Sequence, residues 1–557
     1  MPRSNHNLNS AKERSMTIDK TADTVGAVES QLPCPLCKDK VNDNLGEHIK
    51  KRHGENEFKK AVLAAKKSGK TDPQIGTLFN ITFRQLEGII TEAYGINISA
   101  LKKPKKIEYW APKNFKEETT TVWSFRQRGN WATHDGRYRG NWSPYIPRNV
   151  ILKYSKPGDV ILDYFIGSGT TAVETKLMGR RCIGRDINPA AIGLALENLK
   201  FSPPKALYEV YTINEPEVSE GDARDLSDIS SNSIDLICAH PPYAGIINYS
   251  SNVEGDLSKL TIDKFLKEME KVASESFRVL KPSGKCAILI GDTRKHKHIV
   301  PMGFRTIRVF LDAGFVLKEL VIKRQHNCKT TGFWYDRSIK YNFLLLAHEY
   351  LPIFERPMQQ NIAAHPFSRR DIFQGKTSVE KVDKAKKENL ETTTVWIFPQ
   401  PKMDEEIKRN LIGRFATPDS QYIEINFNEV DEELNIKTNN TPSLVYVSPP
   451  KKLNSEDDIA LYRKAIKKFT KELSSFLAAD GVFVIDTRDV RIDGLVYPIG
   501  VKLLEDMSSN NGFNIKEIVM VTPDNTENSV TTPINNDCLE IIHRYLLIFV
   551  LRRKVDK

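Results

Sequence analysis

The middle of the chain alternates short apolar runs with longer amphipathic stretches. Residues 160–163 (VILD) predict a buried strand, residues 170–178 predict a helix, and residues 182–184 predict a second strand that ends at Asp186. A glycine turn, GSG at 167–169, lies between the first strand and the helix. Strands that alternate with helices are typical of parallel sheets, so this pattern predicts an α/β fold.

A third apolar run, DLICA at 235–239, predicts another buried strand. It stops at His240-Pro241-Pro242-Tyr243. Two prolines cannot continue the hydrogen bonding of a central strand. The chain therefore leaves the sheet here and places an aromatic side chain at its edge.

Part of this pattern occurs twice. ETTTVWSF at 118–125 matches ETTTVWIF at 391–398, and DLICAHPPY at 235–243 parallels SLVYVSPPK at 443–451. Further matches follow in the same order, including the two DTR triplets and the pair HEYLPIF and HRYLLIF. Ordered matches indicate an internal duplication.

The second copy is incomplete, because it has no glycine turn before its Pro-Pro strand. We therefore expect residues 357–557 to form a degenerate domain that keeps a sheet and lacks a cofactor site. It could pack on the first copy like half of a dimer, or help to hold DNA. The charged stretch 378–391 predicts an exposed linker or helix.

Composition and length bound the picture. The 557 residues exceed a single core, and three or so domains are expected. No apolar run reaches the length of a membrane span, and the N-terminus has no signal-peptide pattern. Seven scattered cysteines argue against a disulfide scaffold. These features predict a cytoplasmic protein without a membrane partner.

The only closely spaced cysteines begin a candidate metal site. Cys34 and Cys37 are followed by His48 and His53, which is the ligand order of a Cys2His2 zinc finger. The stretch resembles that motif, although ten residues separate Cys37 from His48 where twelve are usual. We expect a structural Zn²⁺ ion; the alternative is a metal-free turn.

A candidate helix-turn-helix follows at residues 71–90. Asp72 is the expected cap of the first helix, Asn80 the left-handed turn, and Thr82 the cap of the second helix, whose start would face the major groove. The alternative is an ordinary helical hairpin. The net charge is +11, and residues 31–110 hold 15 Lys or Arg against 9 Asp or Glu, so this segment suits DNA.

The glycine turn alone does not identify the cofactor. The acid 23 residues after Asp163, Asp186, could accept hydrogen bonds from a ribose diol, and the same pattern fits a dinucleotide fingerprint. Three further features narrow the choice: Phe165 in FIGSGTT, Asp222 in EGDARDL, and the HPPY tetrapeptide. In this order they resemble the amino-directed S-adenosylmethionine (SAM) DNA methyltransferases, over about residues 118–356.

The resemblance implies a doubly wound, Rossmann-like sheet with SAM and the target base at the carboxyl ends of its strands. It implies SAM-binding residues Asp163, Phe165, Gly167, Ser168, Gly169, Thr170, Thr171, Asp186 and Asp222. It also implies a catalytic tetrapeptide, His240, Pro241, Pro242 and Tyr243, that accepts the hydrogens of a cytosine N4 or adenine N6 amine and stacks on the flipped base. Tyr164 stands where the family has proline.

His240 departs from the family, which has Asp, Asn or Ser at this position. A histidine offers an acceptor nitrogen only when unprotonated, so we expect activity to fall near the free histidine pKa of about 6.5. The alternative is a site that has lost its catalytic activity. Other open readings are an RNA methyltransferase and a SAM-binding regulator that transfers nothing; an NAD-dependent oxidoreductase would leave HPPY unexplained.

The predicted organisation has four parts. Residues 1–30 form a disordered tail, 31–110 a DNA-binding segment, 111–356 the catalytic domain and 357–557 the degenerate copy. DNA is the expected partner, and a cognate restriction nuclease is a further candidate.

Overall fold

The computed structural model describes fifteen parts of the chain. They are residues 32–41, 44–68, 70–82, 85–86, 89, 107–136, 140–244, 253–326, 329–358, 376–381, 390–426, 441–450, 453–508, 512–524 and 538–551. The predicted tail and most of the second helix of the helix-turn-helix lie outside these residues. Contacts divide the chain into two compact units, Met1–Thr82 and Phe83–Lys557.

The first unit contains a small hairpin and three helices. Its elements are β1 (Leu32–Pro33), β2 (Lys40–Val41), α1 (Leu45–His53), α2 (Glu55–Lys67) and α3 (Asp72–Phe79). Apolar residues of all three helices form its core, among them Ile49, Phe58, Val62, Ile75 and Phe79.

The caps of these helices follow local side-chain chemistry. Asn44 caps α1 by accepting a hydrogen bond from the Glu47 N–H. The capping residue of α3 is Thr71, and the predicted cap Asp72 is instead the first helical residue. Asn80 ends α3 in the left-handed conformation, as predicted.

The second unit begins with a lobe built on an eight-stranded sheet. Its elements are β3 (Val122–Ser124), α4 (Tyr145–Tyr154), β4 (Val160–Asp163), α5 (Thr170–Leu177), β5 (Arg181–Asp186), α6 (Pro189–Asn198), α7 (Lys205–Val210), β6 (Glu217–Glu220), β7 (Ile234–Ala239), α8 (Ile262–Val279), β8 (Leu280–Ile288), β9 (Thr293–Lys295), β10 (His298–Val300), α9 (Met302–Asp312), β11 (Val316–Arg324), α10 (Lys329–Lys340) and β12 (His348–Glu355). A short 3₁₀ turn spans Leu257–Lys259.

The strand order of this sheet is β3-β11-β12-β8-β7-β4-β5-β6, and only β12 runs antiparallel to its neighbours. The chain builds outward from β4 to β6 and then returns to lay β7 on the other side of β4. The carboxyl ends of β4 and β7 therefore flank the point where the strand order reverses, which is where ligands bind in such sheets.

Side chains on both faces of the sheet are buried. Leu162 and Ile237 pack in the core that contains α8, whereas their neighbours Ile161 and Leu236 pack in the core that contains α4. Strands buried on both faces are continuously apolar rather than alternating. The predicted doubly wound α/β sheet is confirmed.

The described residues between 376 and 551 form a second lobe. Its elements are β13 (Lys376–Lys381), β14 (Val395–Phe398), α11 (Met403–Phe415), β15 (Gln421–Asn426), β16 (Pro442–Ser448), α12 (Glu456–Phe476), β17 (Val482–Thr487), β18 (Val490–Ile492), β19 (Leu495–Tyr497), α13 (Ile499–Ser508), β20 (Phe513–Pro523) and β21 (Arg544–Leu551), with a 3₁₀ turn at Gln400–Lys402. The strand order is β13-β15-β16-β17-β21-β20-β14.

Six of these strands repeat the first sheet. The run β15-β16-β17-β21-β20-β14 has the same order and directions as β4-β7-β8-β12-β11-β3. The antiparallel strand β13 occupies the place that β5 has in the first lobe. The predicted linker or helix at 378–391 is therefore wrong for residues 378–381, which belong to β13; residues 382–389 lie outside the described part.

The structure also corrects the register of the repeat. Asp292 accepts hydrogen bonds from the Gly303 N–H and the Tyr350 hydroxyl. Asp489 makes the same two bonds with Gly500 and Tyr545. Asp489 is therefore the counterpart of Asp292, and the two DTR triplets are offset by three residues.

The two lobes exchange equivalent contacts. The Thr121 hydroxyl of the first lobe bonds the His543 ring at 2.8 Å. The counterpart pair, Thr394 of the second lobe and His348 of the first, lies at 2.9 Å. Each threonine thus contacts the histidine of the other lobe, as in the two-fold interface of a dimer.

Two ion pairs with buried glutamates also join equivalent residues of opposite lobes. Arg294 of the first lobe contacts Glu517 of the second at 2.6 Å, and Arg491 of the second lobe contacts Glu319 of the first at 2.5 Å. Both glutamates are fully buried. The second lobe therefore packs on the first as a pseudo-dimer through residues that both copies retain.

Among the described helices, none combines the length and the apolar character that a membrane span requires.

Candidate active site

Asp163, at the end of β4, holds the glycine turn through hydrogen bonds. Its carboxylate accepts hydrogen bonds from the Thr171 hydroxyl at 2.5 Å and the Phe165 N–H at 3.0 Å. Burial raises the pKa of Asp163 to about 7. Gly169 begins α5 with φ of +86°, and a Cβ there would lie 3.1 Å from the Ala195 Cβ. Glycine is thus required both for backbone conformation and for the packing of α6.

Asp186 ties the same turn to the end of β5. It accepts the Gly167 N–H and the Asn188 N–H, each at 2.9 Å. Burial raises its pKa to about 6, although these two N–H groups oppose the shift. Each carboxylate oxygen keeps a lone pair for a further donor.

Asn141 clamps a neighbouring segment onto the turn. Its amide nitrogen donates to the Ser168 hydroxyl at 2.6 Å, and its oxygen accepts from the Thr170 hydroxyl at 2.7 Å. This residue was not singled out from the sequence. The clamp places Trp142 beside the carboxyl end of β7.

An open cleft of about 800 Å³ lies at these strand ends. Of the predicted site residues, it is lined by Phe165, Gly167, Asp186, Asp222, His240 and Pro242. The other predicted residues do not line it: Asp163, Ser168, Gly169, Thr170, Thr171, Pro241 and Tyr243. Residues that sequence reasoning missed also contribute, including Asn141, Trp142, Asn188 and the segment 255–257.

Asp222 lines the cleft and is paired with a cation. Arg224 binds its carboxylate through Nε and Nη2, and also contacts Glu268 at 2.7 Å. Partial burial would raise the pKa of Asp222, but the bonds from Arg224 lower it.

His240 directly follows β7 and also lines the cleft. The Trp142 ring stacks on the imidazole at 5.7 Å between centroids, with an interplanar angle of 23°. The Nδ1 atom is buried and has no hydrogen-bond partner among the described residues. Burial lowers the pKa of His240 to about 4. The imidazole is therefore neutral at pH 7.

The other ring nitrogen starts a chain of polar contacts that the sequence did not reveal. His240 Nε2 lies 2.9 Å from the Tyr243 hydroxyl, which donates to Glu349 Oε1 at 2.8 Å. Lys323 Nζ contacts Glu349 Oε2 at 2.7 Å. Lys323 and Glu349 are cross-strand partners on β11 and β12.

A second cluster lies in the first unit. The ligand atoms of Cys34, Cys37, His48 and His53 all lie within 4.8 Å of one another. Cys37 Sγ is 3.3 Å from His48 Nε2, and Cys34 Sγ is 3.8 Å from His53 Nε2. Two sulfurs and two imidazole nitrogens at these separations match the edges of a tetrahedron around one ion with bonds of about 2.0–2.3 Å.

A family model described as DNA methylase matches residues 1–197 and 234–426, which together make up most of the chain. The chain belongs to the DNA methylase family. The match includes the glycine turn, Asp186 and the HPPY tetrapeptide, and it leaves out Asp222.

Curated proteins match the chain over shorter stretches. A tRNA (guanine(10)-N2)-dimethyltransferase from Methanothermobacter thermautotrophicus is 36% identical over 130 residues, which cover 23% of this chain and 34% of that protein. The type II methyltransferase M.SmaI from Serratia marcescens is 32% identical over 111 residues, covering 18% and 37%. The chain thus spans about a third of the length of these relatives.

A solved structure of a SAM-dependent methyltransferase from Methanosarcina mazei aligns with 38% of this DNA methylase and 98% of its own chain. The identity is 19% and the TM-score 0.27, so the strand order described above, and not this likeness, identifies the fold.

Proposed function

We propose that the protein transfers a methyl group from SAM to an exocyclic amine of a DNA base, N4 of cytosine or N6 of adenine. The observation that carries this proposal is the unpartnered Nδ1 of a neutral His240 at the cleft that also contains Asp186. An acceptor for an amine and an acceptor for a ribose thus line one cleft, at the switch point of the sheet.

The residues present fit SAM. Asp186 has a free lone pair on each oxygen for ribose hydroxyls, and Phe165 and Gly167 line the same side of the cleft. Asp222 would meet the adenine end, with Arg224 holding its carboxylate in place. When bound, SAM supplies an electrophilic methyl group.

The protein's own contribution is to hold the amine. An amine conjugated to a base ring is a poor nucleophile because its lone pair is delocalised. Acceptors at His240 Nδ1 and the Pro241 carbonyl would bind its two hydrogens and turn the lone pair toward the methyl donor. Catalysis of this kind is mostly positioning. Stacking of the flipped base on Tyr243 stays a prediction; Trp142, whose ring stacks on His240, is an aromatic residue that lines the cleft.

The first unit is proposed to bind one structural Zn²⁺ ion and to supply DNA affinity. The proposal is supported by the four converging ligand atoms and by the left-handed turn at Asn80 between α3 and the predicted second helix. A cognate restriction nuclease stays a prediction from the resemblance.

The experiment is to express the protein in a host without DNA methylation and to sequence the host DNA for methylated bases. We expect N4-methylcytosine or N6-methyladenine at a defined sequence, and none with His240→Ala. Unmethylated host DNA with full-length, SAM-binding protein would contradict methyl transfer to DNA and leave the regulator and the RNA enzyme.

RNA is the second candidate substrate, because a tRNA methyltransferase is among the similar proteins. The same purified protein should be offered duplex DNA and bulk tRNA in separate reactions with labelled SAM. Preferential labelling of tRNA would replace the DNA proposal with the RNA one.

A further inference from the structure

The polar chain consists of His240, Tyr243, Glu349 and Lys323. The charge of Glu349 determines which group donates in each of its hydrogen bonds. Glu349 is buried, and burial alone would raise its pKa. Lys323, His240 and the Tyr243 hydrogen bond together outweigh burial and lower the pKa to about 2. Glu349 is thus a carboxylate, which can only accept hydrogen bonds.

The proton of Tyr243 follows from that charge. A phenol has one hydrogen, and a carboxylate is a stronger acceptor than a neutral imidazole. Tyr243 therefore donates to Glu349 and presents a lone pair to His240 Nε2, 2.9 Å away. Nε2 then carries the hydrogen of the neutral ring. The Gly140 backbone also acts on the ring, but Nδ1 has no hydrogen-bond partner among the described residues.

We infer that Glu349 is a positioning residue that fixes neutral His240 in its Nε2–H tautomer and thereby makes Nδ1 a hydrogen-bond acceptor in the cleft. This inference rests on the proposed function and deepens it. It explains how a histidine can serve at a position that must accept a hydrogen bond from the target amine. An imidazole with its hydrogen on Nδ1 would donate a hydrogen bond toward the amine instead.

The second lobe gives an independent comparison. At the positions of His240, Tyr243, Lys323 and Glu349 it has Ser448, Lys451, Val521 and Arg544. Val521 and Arg544 are cross-strand partners, as Lys323 and Glu349 are in the first lobe. All four members of the chain are thus replaced in the copy that has no glycine turn.

The flanking residues behave differently. His543 and Tyr545 retain the identities of His348 and Tyr350, which are the neighbours of Glu349, and they make equivalent contacts. Residues that serve the lobe interface are kept in both copies. Of the two copies, the one that has the glycine turn at 167–169 also has the polar chain, and the other copy has neither. The packing of the lobes therefore does not by itself require the polar chain.

The decisive variant is Glu349→Gln. Lys323 can only donate, so it orients the amide oxygen toward itself and leaves the amide N–H₂ facing Tyr243. That donor turns the tyrosine hydrogen toward Nε2 and moves the ring hydrogen to Nδ1. We expect kcat to fall about 100-fold or more, as for other losses of a preorganised contact or tautomer, with SAM affinity unchanged.

The tautomer itself is measured by ¹⁵N NMR of the full-length protein labelled at histidine, with His240→Asn used to assign the signal. In the wild type we expect protonated Nε2 and unprotonated Nδ1, and in Glu349→Gln the reverse. The matched control is Glu319→Gln. Glu319 is also a buried glutamate, but its partner is Arg491, and we expect this variant to leave the His240 signals unchanged.

Two results would overturn the inference: Nδ1–H in the wild type, or an unchanged tautomer and kcat in Glu349→Gln. If that variant does not fold, Tyr243→Phe tests the same link, since it removes the acceptor for Nε2–H. We expect mixed tautomers and lower kcat; a wild-type tautomer with full activity would refute the role. The NMR result needs no turnover, so failure of methyl transfer leaves this test standing.

Discussion

At the scale of single residues, the protonation of His240 controls whether the cleft can accept an amine. Sequence reasoning expected loss of activity near pH 6.5, and the structure corrects this to a lower pH. Burial is the main cause of the lowered pKa, Lys323 and Arg128 lower it further, and Glu349 and the Gly140 backbone oppose the shift. The neutral, accepting form therefore persists well below pH 6.

At saturating SAM, which favours the carboxylate form of Asp186 whose pKa is otherwise about 6, we accordingly expect kcat for methyl transfer to fall through an apparent pKa of about 4 that belongs to His240. The folded pKa lies below the unfolded value, so His240 also lowers stability as the pH falls from about 6.5 to 4. Activity should be measured within minutes of each pH jump to separate the two effects. A midpoint near 6.5 would contradict the buried environment.

A second prediction concerns Asp186. Asp186→Ala should weaken SAM binding by about 1–3 kcal/mol, because ribose hydroxyls and two backbone N–H groups lose their acceptor. Calorimetry measures the affinity, and the melting temperature of the ligand-free variant controls for loosening of the turn. Unchanged affinity would remove Asp186 from the binding site.

The sequence pointed to residues that line the cleft where neighbours in the chain are also neighbours in space. Phe165, Gly167 and Asp186 follow strand ends, and strand ends of a parallel sheet converge. Glu349 lies 106 residues from Tyr243, and its only local context is an ordinary strand. Trp142 reaches His240 because Asn141 clamps its segment, and that contact leaves no periodic signal.

At the scale of elements, the first unit tests whether spacing predicts a metal site. We expect residues 34–53 to bind one zinc ion and the variant Cys37→Ser to lose it, because a three-ligand site is open to water. Metal analysis of the purified full-length protein gives the stoichiometry. Cys182→Ser is the control, since that buried cysteine lies on β5. Zinc retained by Cys37→Ser would contradict the four-ligand site.

Elements with strong local signals were predicted well, and those defined by long-range pairing were not. The strand-turn-helix at 160–177 follows from an apolar run and two glycines. β13 is charged and resembles a linker, and it becomes a strand only because the edge of β15 is available to it. The offset of the DTR triplets similarly needed the tyrosine contacts of the two aspartates.

At the scale of the whole second unit, the duplication produced an interface between the two lobes. The retained pairs cross between lobes, so each copy supplies half of every pseudo-symmetric contact. β12 joins this interface to the cleft, because His348 contacts Thr394 of the second lobe and the next residue, Glu349, contacts Tyr243. The degenerate copy thus braces the strand that carries the polar chain.

Pseudo-symmetry makes a quantitative prediction for the buried ion pairs. Glu319→Ala and Glu517→Ala each leave an arginine without its partner, and each should cost about 3–5 kcal/mol of unfolding free energy. Chemical denaturation, followed by far-UV circular dichroism, measures both. Glu406→Ala, which breaks an exposed pair with Arg409, should cost at most about 1 kcal/mol.

The two costs should be similar because the two environments are related by the duplication. Each glutamate also accepts a backbone N–H from the opposite side of the interface, Leu539 for Glu319 and Leu344 for Glu517. Both variants should also lower the cooperativity of unfolding, since either one loosens the same interface. If Glu517→Ala behaved like Glu406→Ala while Glu319→Ala did not, the interface would not be a symmetric pair, and the second lobe would be an appendage rather than a pseudo-protomer.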